Sequence, residues 1–227
     1  MIKTVFFDVD NTLICFKKSG FIAVKTTFEK NGIDFKEEYM PVFFHTNESL
    51  WHLVEKGELS REEMYKIRFT KVIEALGIKT TADTYKMEKD FRDALFNIAE
   101  PVDGAKELLE YLSKKYRLCI ASNSIYEQQE NRLKIAGFYQ YFDKIFVSEK
   151  VGYSKPQKEF FDGCFNQLDG EKPEETVMIG DSLTADMKGA KEYGINAIWY
   201  NHMGVNSPDI KVYDYKVNSL LEIKKIL

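Results

Sequence analysis

The chain has 227 residues, of which 44% are hydrophobic and 30% are charged, and its formal net charge is −4 at pH 7. This length can bury a full core, and it suits one large domain or one domain that carries an insertion. The weak net charge gives no sign of a nucleic-acid polymer or an anionic membrane as partner, and no apolar run approaches the ~20 residues of a membrane-spanning helix.

The first element is a short apolar run, Thr4 to Phe7, that leads into Asp8 and Asp10. A run that is apolar on both faces is typical of a central parallel strand. Side chains two positions apart on an extended segment point the same way, so the two carboxylates repel unless a cation or a shared proton compensates. The pattern predicts a site that binds Mg²⁺, shares a proton, or does both. Ordinary turn chemistry is an alternative for Asp-x-Asp-x-Thr alone.

Residues 16–99 change to a helical pattern, with apolar residues three and four positions apart and glycines at the expected helix ends. The pattern predicts about four helices. Ser60 and Glu63 form the signature of a capping box that opens the third, and the fourth extends from Asp83 to Ala99. No strand pattern interrupts this block, so we expect a helical insertion separate from the sheet.

From Pro101 onward, helices alternate with apolar strands. The predicted strands are 118–121, 144–147, 176–180, 195–200 and 213–217, with a final helix from Ser219 to Leu227. This alternation predicts a parallel sheet with helices on both faces. Polar side chains follow the strands at Ser122 and Asn123 and at Asp181 and Asp186, and Lys155 lies in another connection. The carboxyl ends of parallel strands meet at one edge, so we expect these residues to converge near Asp8.

The three cysteines, Cys15, Cys119 and Cys164, are odd in number and have no C-x-x-C spacing. They therefore predict neither a disulfide framework nor a zinc site. The chain enters its first strand without a signal-peptide pattern. We expect a cytoplasmic protein with reduced thiols, as a monomer or a weak homodimer.

Four stretches resemble the haloacid dehalogenase superfamily of phosphohydrolases, and they occur in the order of that family. They are Asp8-Val9-Asp10-Asn11-Thr12, Ile120-Ala121-Ser122-Asn123, Lys155-Pro156 and Gly180-Asp181-Ser182-Leu183-Thr184-Ala185-Asp186. The resemblance implies a Rossmann-like α/β core over 1–15 and 100–227, with an inserted helical cap over 16–99. It also implies hydrolysis of a small phosphate ester.

The resemblance assigns Asp8 as the nucleophile that forms an aspartyl-phosphate. Asp10 would protonate the leaving alcohol and then activate water. Mg²⁺ would be bound by Asp8, Asp181 and the backbone carbonyl of Asp10. Ser122 and the amide of Asn123 would hold phosphoryl oxygens.

Two further residues complete the implied site. Lys155 would neutralise the transferring group, and Asp186 would orient a metal-bound water or Lys155. Each also has a plain structural alternative, because a lysine can precede a helix at a surface and an aspartate is favourable near a helix N-terminus.

A looser likeness connects Ser49 to Gly57, Arg68-Phe69 and Ser148 to Gly152 with the noncanonical pyrimidine nucleotidases. It implies that Trp51 stacks on the base or closes over the sugar of a pyrimidine nucleoside monophosphate, and that Arg68 or Lys56 contacts the polar edge of the substrate. Core packing suits Trp51 equally well. The alternatives are a phosphatase or mutase acting on phosphoglycolate or a sugar phosphate, and a non-catalytic phosphate-binding regulatory module.

Overall fold

The structure is a computed structural model that describes residues 1–206 and 212–227. The chain forms two compact units. Met1–Phe16 and Ala99–Leu227 form one, which we call the sheet unit, and Lys17–Ile98 form the other, which we call the helical unit.

The sheet unit contains a parallel sheet, and its six described strands are ordered β3-β2-β1-β4-β5-β6. The strands are β1 (Thr4–Phe7), β2 (Arg117–Ser122), β3 (Lys144–Val147), β4 (Thr176–Gly180), β5 (Asn196–Tyr200) and β6 (Tyr215–Val217). From β1 the chain adds strands first on one side of the sheet and then, from β4, on the other. The strand order thus reverses between β1 and β4, which is where open α/β sheets bind ligands. The predicted α/β fold with a Rossmann-like sheet is confirmed.

Helices cover both faces of the sheet. The central strand β1 has apolar side chains on both faces, and the helices bury them. Val5 and Phe7 pack into the core beneath α5 (Ala105–Leu112) and α6 (Tyr126–Ile135). Phe6 faces the opposite core, which includes residues of α8 (Lys158–Phe165) and α9 (Gly189–Tyr193). Val5, Phe6 and Phe7 have no exposed surface (0%), which explains why these positions of the strand lack polar alternation.

Three local assignments differ from the sequence prediction. The connection that leads from β3 to Lys155 contains a short helix of its own, α7 (Ser148–Val151), which the simple alternation of strand and helix does not include. The helix expected after β4 begins as a π-helical segment, Leu183–Lys188, before α9. The C-terminal segment is a 3-10 helix over Leu220–Lys225. Short segments of this kind depend on contacts outside their own sequence, so periodicity does not specify their type.

The helical unit contains four α-helices in its described residues, as the spacing predicts. They are α1 (Phe16–Lys30), which begins at the unit boundary, α2 (Met40–Glu55), α3 (Arg61–Leu76) and α4 (Thr84–Phe96). The predicted capping box is present, since Ser60 and Glu63 exchange hydrogen bonds at the start of α3. Aromatic rings fill the interior, with Phe43 and Phe69 both close to Phe91.

Among the described residues, none of the helices combines the length and the apolar character that crossing a membrane requires.

Candidate active site

Asp8 follows β1 directly and lies at the carboxyl edge of the sheet. Its backbone amide donates to the Ile179 carbonyl at 2.9 Å, which continues the pairing of β1 with β4 by one residue. The loop then tightens, because the amides of Leu13 and Ile14 both donate to the Val9 carbonyl at 2.9 Å. This backbone pairing fixes Asp8 in a buried position, where 9% of the residue is exposed.

Lys155 is a buried cation between two carboxylates. Its Nζ donates to Asp8 Oδ1 at 2.9 Å, to Asp186 Oδ1 at 2.6 Å and to the Ala121 carbonyl. Burial by itself would lower the pKa of Lys155, but Asp186 and Asp8 outweigh this effect and raise the pKa above its usual range. Lys155 therefore carries its charge inside the protein, with 1% of the residue exposed.

Asn123 holds the backbone of Lys155 in place. Its side-chain amide donates to the Lys155 carbonyl at 2.9 Å and accepts from the Lys155 amide at 2.8 Å. These two bonds satisfy both the backbone amide and the backbone carbonyl of Lys155. They connect the end of β2 to the segment that carries the lysine. The binding of a phosphoryl oxygen by the Asn123 backbone amide stays a prediction.

Asp186 is also buried, at 1% exposure, and its position depends on a glycine. Its Oδ2 accepts from the Ser182 amide at 3.1 Å, while its Oδ1 faces Lys155. A Cβ atom added to Gly180 would lie 2.2 Å from Asp186 Oδ2. Only glycine at the end of β4 leaves room for this carboxylate.

Asp8, Asp181 and Asp186 bring carboxylate oxygens within 4.8 Å of one another. Burial raises the pKa of Asp8 well above its usual value, although Lys155 opposes the effect. Burial also raises the pKa of Asp181, against a hydrogen bond from His202. Lys155 contacts one oxygen of Asp8, whereas both oxygens of Asp186 already accept, from Lys155 and from the Ser182 amide. A cation would therefore relieve the crowding chiefly at Asp8 and Asp181. An all-oxygen donor set of this kind fits Mg²⁺.

As ligands of Mg²⁺, the sequence prediction named Asp8, Asp181 and the backbone carbonyl of Asp10. It did not include Asp186. The side chain of Asp10 faces another part of the site. Its Oδ1 accepts from Arg132 Nη1 at 2.6 Å, and its Oδ2 accepts from Gln129 Nε2 at 2.8 Å. The carbonyl of Asp10 as a metal ligand stays a prediction.

Gln129 also donates to Ser122 Oγ at 3.1 Å, so the end of β2 and the loop after β1 share one amide. Sequence reasoning missed Gln129 and Arg132. The available signal was weak: a glutamine and an arginine three positions apart, on a helix with few apolar residues, directly after the polar end of a strand. This spacing places both side chains on one face of α6.

Trp51 and Arg68 lie in the helical unit, on α2 and α3. Trp51 is half-buried. Arg68 is 3% exposed, and its guanidinium donates to both carboxylate oxygens of Glu88 and to Asn47 Oδ1. These interior contacts connect α3 with α2 and α4. Contact between Arg68 and the substrate stays a prediction.

The parallel sheet, with a buried cluster of carboxylates and a lysine at its carboxyl edge, defines an α/β protein with a candidate acidic active site. The haloacid dehalogenase-like hydrolase family matches residues 2–194. The chain therefore belongs to this family of hydrolases.

Three relatives cover almost the whole chain. The HAD-hydrolase YfnB of Bacillus subtilis is 33% identical over 99% of this chain and 95% of its own. Its magnesium-bound crystal structure superimposes with a TM-score of 0.92 over 99% of this chain and 98% of that one. The pyrimidine 5'-nucleotidase PynA of Streptococcus pneumoniae is 31% identical over 94% of this chain and 92% of its own. The pyrimidine 5'-nucleotidase YjjG of Escherichia coli is 27% identical over 98% and 96%.

Proposed function

We propose that this hydrolase is a Mg²⁺-dependent phosphatase that acts on small phosphate monoesters, with pyrimidine nucleoside monophosphates as its preferred substrates. The observation that carries the proposal is the position of Lys155 Nζ, which lies 2.9 Å from Asp8 Oδ1 at the carboxyl edge of the sheet. A carboxylate nucleophile needs such a cation, because both it and a phosphate ester are anionic. The similarity to two pyrimidine 5'-nucleotidases supports the substrate class.

In the first step, a carboxylate oxygen of Asp8 forms a bond to phosphorus while the bond from phosphorus to the ester oxygen breaks. Asp10 gives a proton to the departing oxygen, which leaves as an alcohol. Lys155 balances the charge of Asp8 and of the phosphoryl group, and the Ser122 hydroxyl donates to a phosphoryl oxygen.

In the second step, Asp10 takes a proton from water as the water oxygen bonds to phosphorus. The bond between Asp8 and phosphorus breaks, which releases phosphate and restores the Asp8 carboxylate. The same group serves as acid and then as base, so no outside proton donor is required.

Mg²⁺ would be held by Asp8, Asp181 and the backbone carbonyl of Asp10, where it would offset the negative charge of the phosphoryl oxygens. Asp186 would act through Lys155, which it contacts at 2.6 Å. Trp51, which is half-buried on α2, stays a proposed contact for the pyrimidine base, because an indole ring can stack on a base.

The alternatives differ in a measurable way. A sugar-phosphate or phosphoglycolate phosphatase would prefer those esters, and a mutase would interconvert phosphosugar isomers without net release of phosphate. A regulatory module that only binds phosphate would lack the nucleophile or its partner, whereas Asp8, Asp10 and Lys155 are all present.

The test is phosphate release from a panel of nucleoside monophosphates, sugar phosphates and phosphoglycolate, with and without Mg²⁺. We expect release that is fastest on pyrimidine nucleoside monophosphates, needs Mg²⁺ and is lost in Asp8→Asn. Asp169→Asn is the matched control, because its carboxylate is 89% exposed and it belongs to none of the four motifs. Faster release from another ester would contradict the substrate class, and release that survives Asp8→Asn would contradict the mechanism.

A further inference from the structure

Two buried side chains contact Asp10 but have no part in the mechanism above. Arg132 and Gln129 lie on α6, and each has 0% of its surface exposed. Arg132 Nη1 donates to Asp10 Oδ1 at 2.6 Å, and Gln129 Nε2 donates to Asp10 Oδ2 at 2.8 Å. One helix therefore supplies a donor to each oxygen of the same carboxylate.

The neighbours of Gln129 determine which way its amide points. A guanidinium can only donate, and Arg132 Nη1 lies 3.4 Å from Gln129 Oε1. The amide oxygen therefore faces Arg132, which leaves the amide nitrogen of Gln129 to donate to Asp10 Oδ2 at 2.8 Å. The same nitrogen donates to Ser122 Oγ at 3.1 Å. The Ser122 oxygen thus accepts from Gln129, which directs the proton of its hydroxyl to another acceptor.

This arrangement is costly for folding. The buried residues of α6 are Gln129, Arg132 and Leu133, so two of the three are polar. Burying a guanidinium and an amide carries a desolvation cost that apolar side chains of similar size avoid. Two long side chains must also be ordered in one geometry. A requirement on the geometry of Asp10 accounts for polar residues at these positions.

We propose that Arg132 and Gln129 are positioning residues that hold the carboxyl group of Asp10 for proton transfer, and that Gln129 couples this carboxyl to Ser122. The inference rests on the proposed hydrolysis of phosphate monoesters. Both residues act through Asp10 and Ser122, which contact the reacting groups. Arg132 and Gln129 are three positions apart on one helix, so a single rigid element sets both donors.

The readout is the dependence of the rate on the leaving group. The departing oxygen of an alkyl phosphate, such as a nucleoside monophosphate, needs a proton. 4-Nitrophenyl phosphate instead releases 4-nitrophenolate, which is stable without one. The ratio of kcat/KM values for the two esters compares only the steps up to departure of the leaving group. It is also independent of the fraction of enzyme that is folded, because that fraction cancels.

We expect Arg132→Met to lower kcat/KM at least 100-fold on the alkyl ester and less than 10-fold on the aryl ester, since a positioned acid contributes roughly 10²–10⁴ to the rate. Gln129→Leu should shift the ratio in the same direction. Arg132→Lys should restore part of the ratio, because it keeps a cation near Asp10. Equal losses on both esters would overturn the inference.

Arg117→Met is the matched control. Arg117 is also paired with carboxylates, at 2.6 Å from both Asp143 and Glu171, but it begins β2 whereas Ser122 ends it. We expect the control to leave the ratio of the two esters within 2-fold of wild type. A ratio that changes as much as in Arg132→Met would overturn the inference, because the loss of any arginine–carboxylate pair would then have the same effect.

A second measurement does not depend on activity. The shifts in the urea midpoint are compared for Asp10→Asn, Arg132→Met and the double variant. We expect the double variant to shift by clearly less than the sum, because each single change leaves the other partner without its counterpart. Additive shifts would overturn the contact between Asp10 and Arg132 in solution. A wild type that releases no phosphate, with non-additive shifts, would contradict the proposed function and leave the contact supported.

Discussion

The buried lysine at position 155 shows how single residues control this site. Its ammonium group is almost fully withdrawn from water and contacts Asp8 and Asp186 at 2.9 and 2.6 Å. A charge buried in this way is tolerated only when it is paired and hydrogen-bonded, and removing one partner costs more than the pair itself contributes. Lys155 therefore has a structural effect as well as a proposed chemical one.

Replacing this lysine should affect stability and activity together. Lys155→Met leaves Asp8 and Asp186 buried without their cation, so we expect the free energy of unfolding to fall by about 3–5 kcal/mol. We also expect phosphate release to fall below detection. Urea unfolding and a phosphate assay provide the two measurements.

The matched change for that prediction is Lys158→Met. Lys158 pairs with Asp162 at 2.8 Å, but its side chain is 73% exposed. An exposed pair of this kind contributes little, so stability should change by less than about 0.5 kcal/mol and activity should be retained. Similar losses in both variants would contradict the special position of Lys155.

At the scale of elements, α4 carries two carboxylates that connect the helices of the helical unit. Glu88 binds the Arg68 guanidinium of α3 through both of its oxygens, at 2.6 and 2.9 Å. Asp90 faces α1 and its C-terminal end, where it accepts from Asn31 at 2.9 Å and pairs with Lys30. The two residues are two positions apart and thus point to different neighbours.

Asp90 should make the stability of this unit depend on pH in the acid range. Burial opposes its ionisation, but hydrogen bonds from Lys30, Asn31 and Lys86 outweigh burial and lower its pKa from 3.8 to about 2. The folded pKa is below the unfolded pKa. The stabilisation is therefore fully present above about pH 4 and is lost as the pH falls toward 2.

We expect Asp90→Asn to lower the free energy of unfolding by about 1–2 kcal/mol at pH 6. This value allows for screening by solvent, because the lysines that pair with Asp90 are exposed. The difference from wild type should vanish near pH 2. Asp93→Asn on the same helix is the control, since Asp93 is exposed. Thermal or urea unfolding between pH 2 and pH 6 gives the comparison. A difference that persists unchanged at pH 2 would rule out this explanation.

At the scale of the molecule, strand order decides which motifs meet. The strands β2, β1 and β4 are adjacent in the sheet. Ser122 is the last residue of β2, and Asp8 and Asp181 directly follow β1 and β4, although these residues are far apart in sequence. Parallel pairing aligns Phe7 with both Ile120 and Ile179, so the residues that follow lie at one edge. The sheet brings the acidic groups together, and burial then raises the pKa values of Asp8 and Asp181.

This crowding predicts stabilisation by Mg²⁺. A cation that binds only the folded protein raises the free energy of unfolding, by about 2.7 kcal/mol at 100 times its dissociation constant. Protons compete for the same carboxylates, whose folded pKa values are raised. The metal-free protein therefore gains stability from these groups as the pH falls toward 4, while the effect of Mg²⁺ shrinks.

The measurement is the urea midpoint with and without Mg²⁺ at pH 5 and pH 7.5. We expect a larger shift at the higher pH, and none in Asp181→Asn. Asp169→Asn should retain the wild-type shift, because that carboxylate is exposed and pairs only with Arg117 in the contacts described here. An equal shift in Asp181→Asn would place the cation elsewhere.

Much of this organisation was predictable from the sequence. Runs such as 144–147 and 176–180 coincide with strands because local apolar patterns and their polar ends are properties of the segment itself. The capping box at Ser60 was predictable for the same reason, since its bonds are between residues three positions apart. The convergence of Asp8, Lys155 and Asp186 followed from the rule that parallel strands end at one edge.

The sequence by itself determined the α/β alternation, the helical insertion and the motif residues at the strand ends. Only the tertiary structure decided that Arg132 and Gln129 hold Asp10, and that Arg68 is occupied by Glu88. The physical reason is that a side chain's partner depends on which helix faces it and at what rotation. Those quantities arise from packing between segments distant in the chain, which the periodicity of any one segment does not contain.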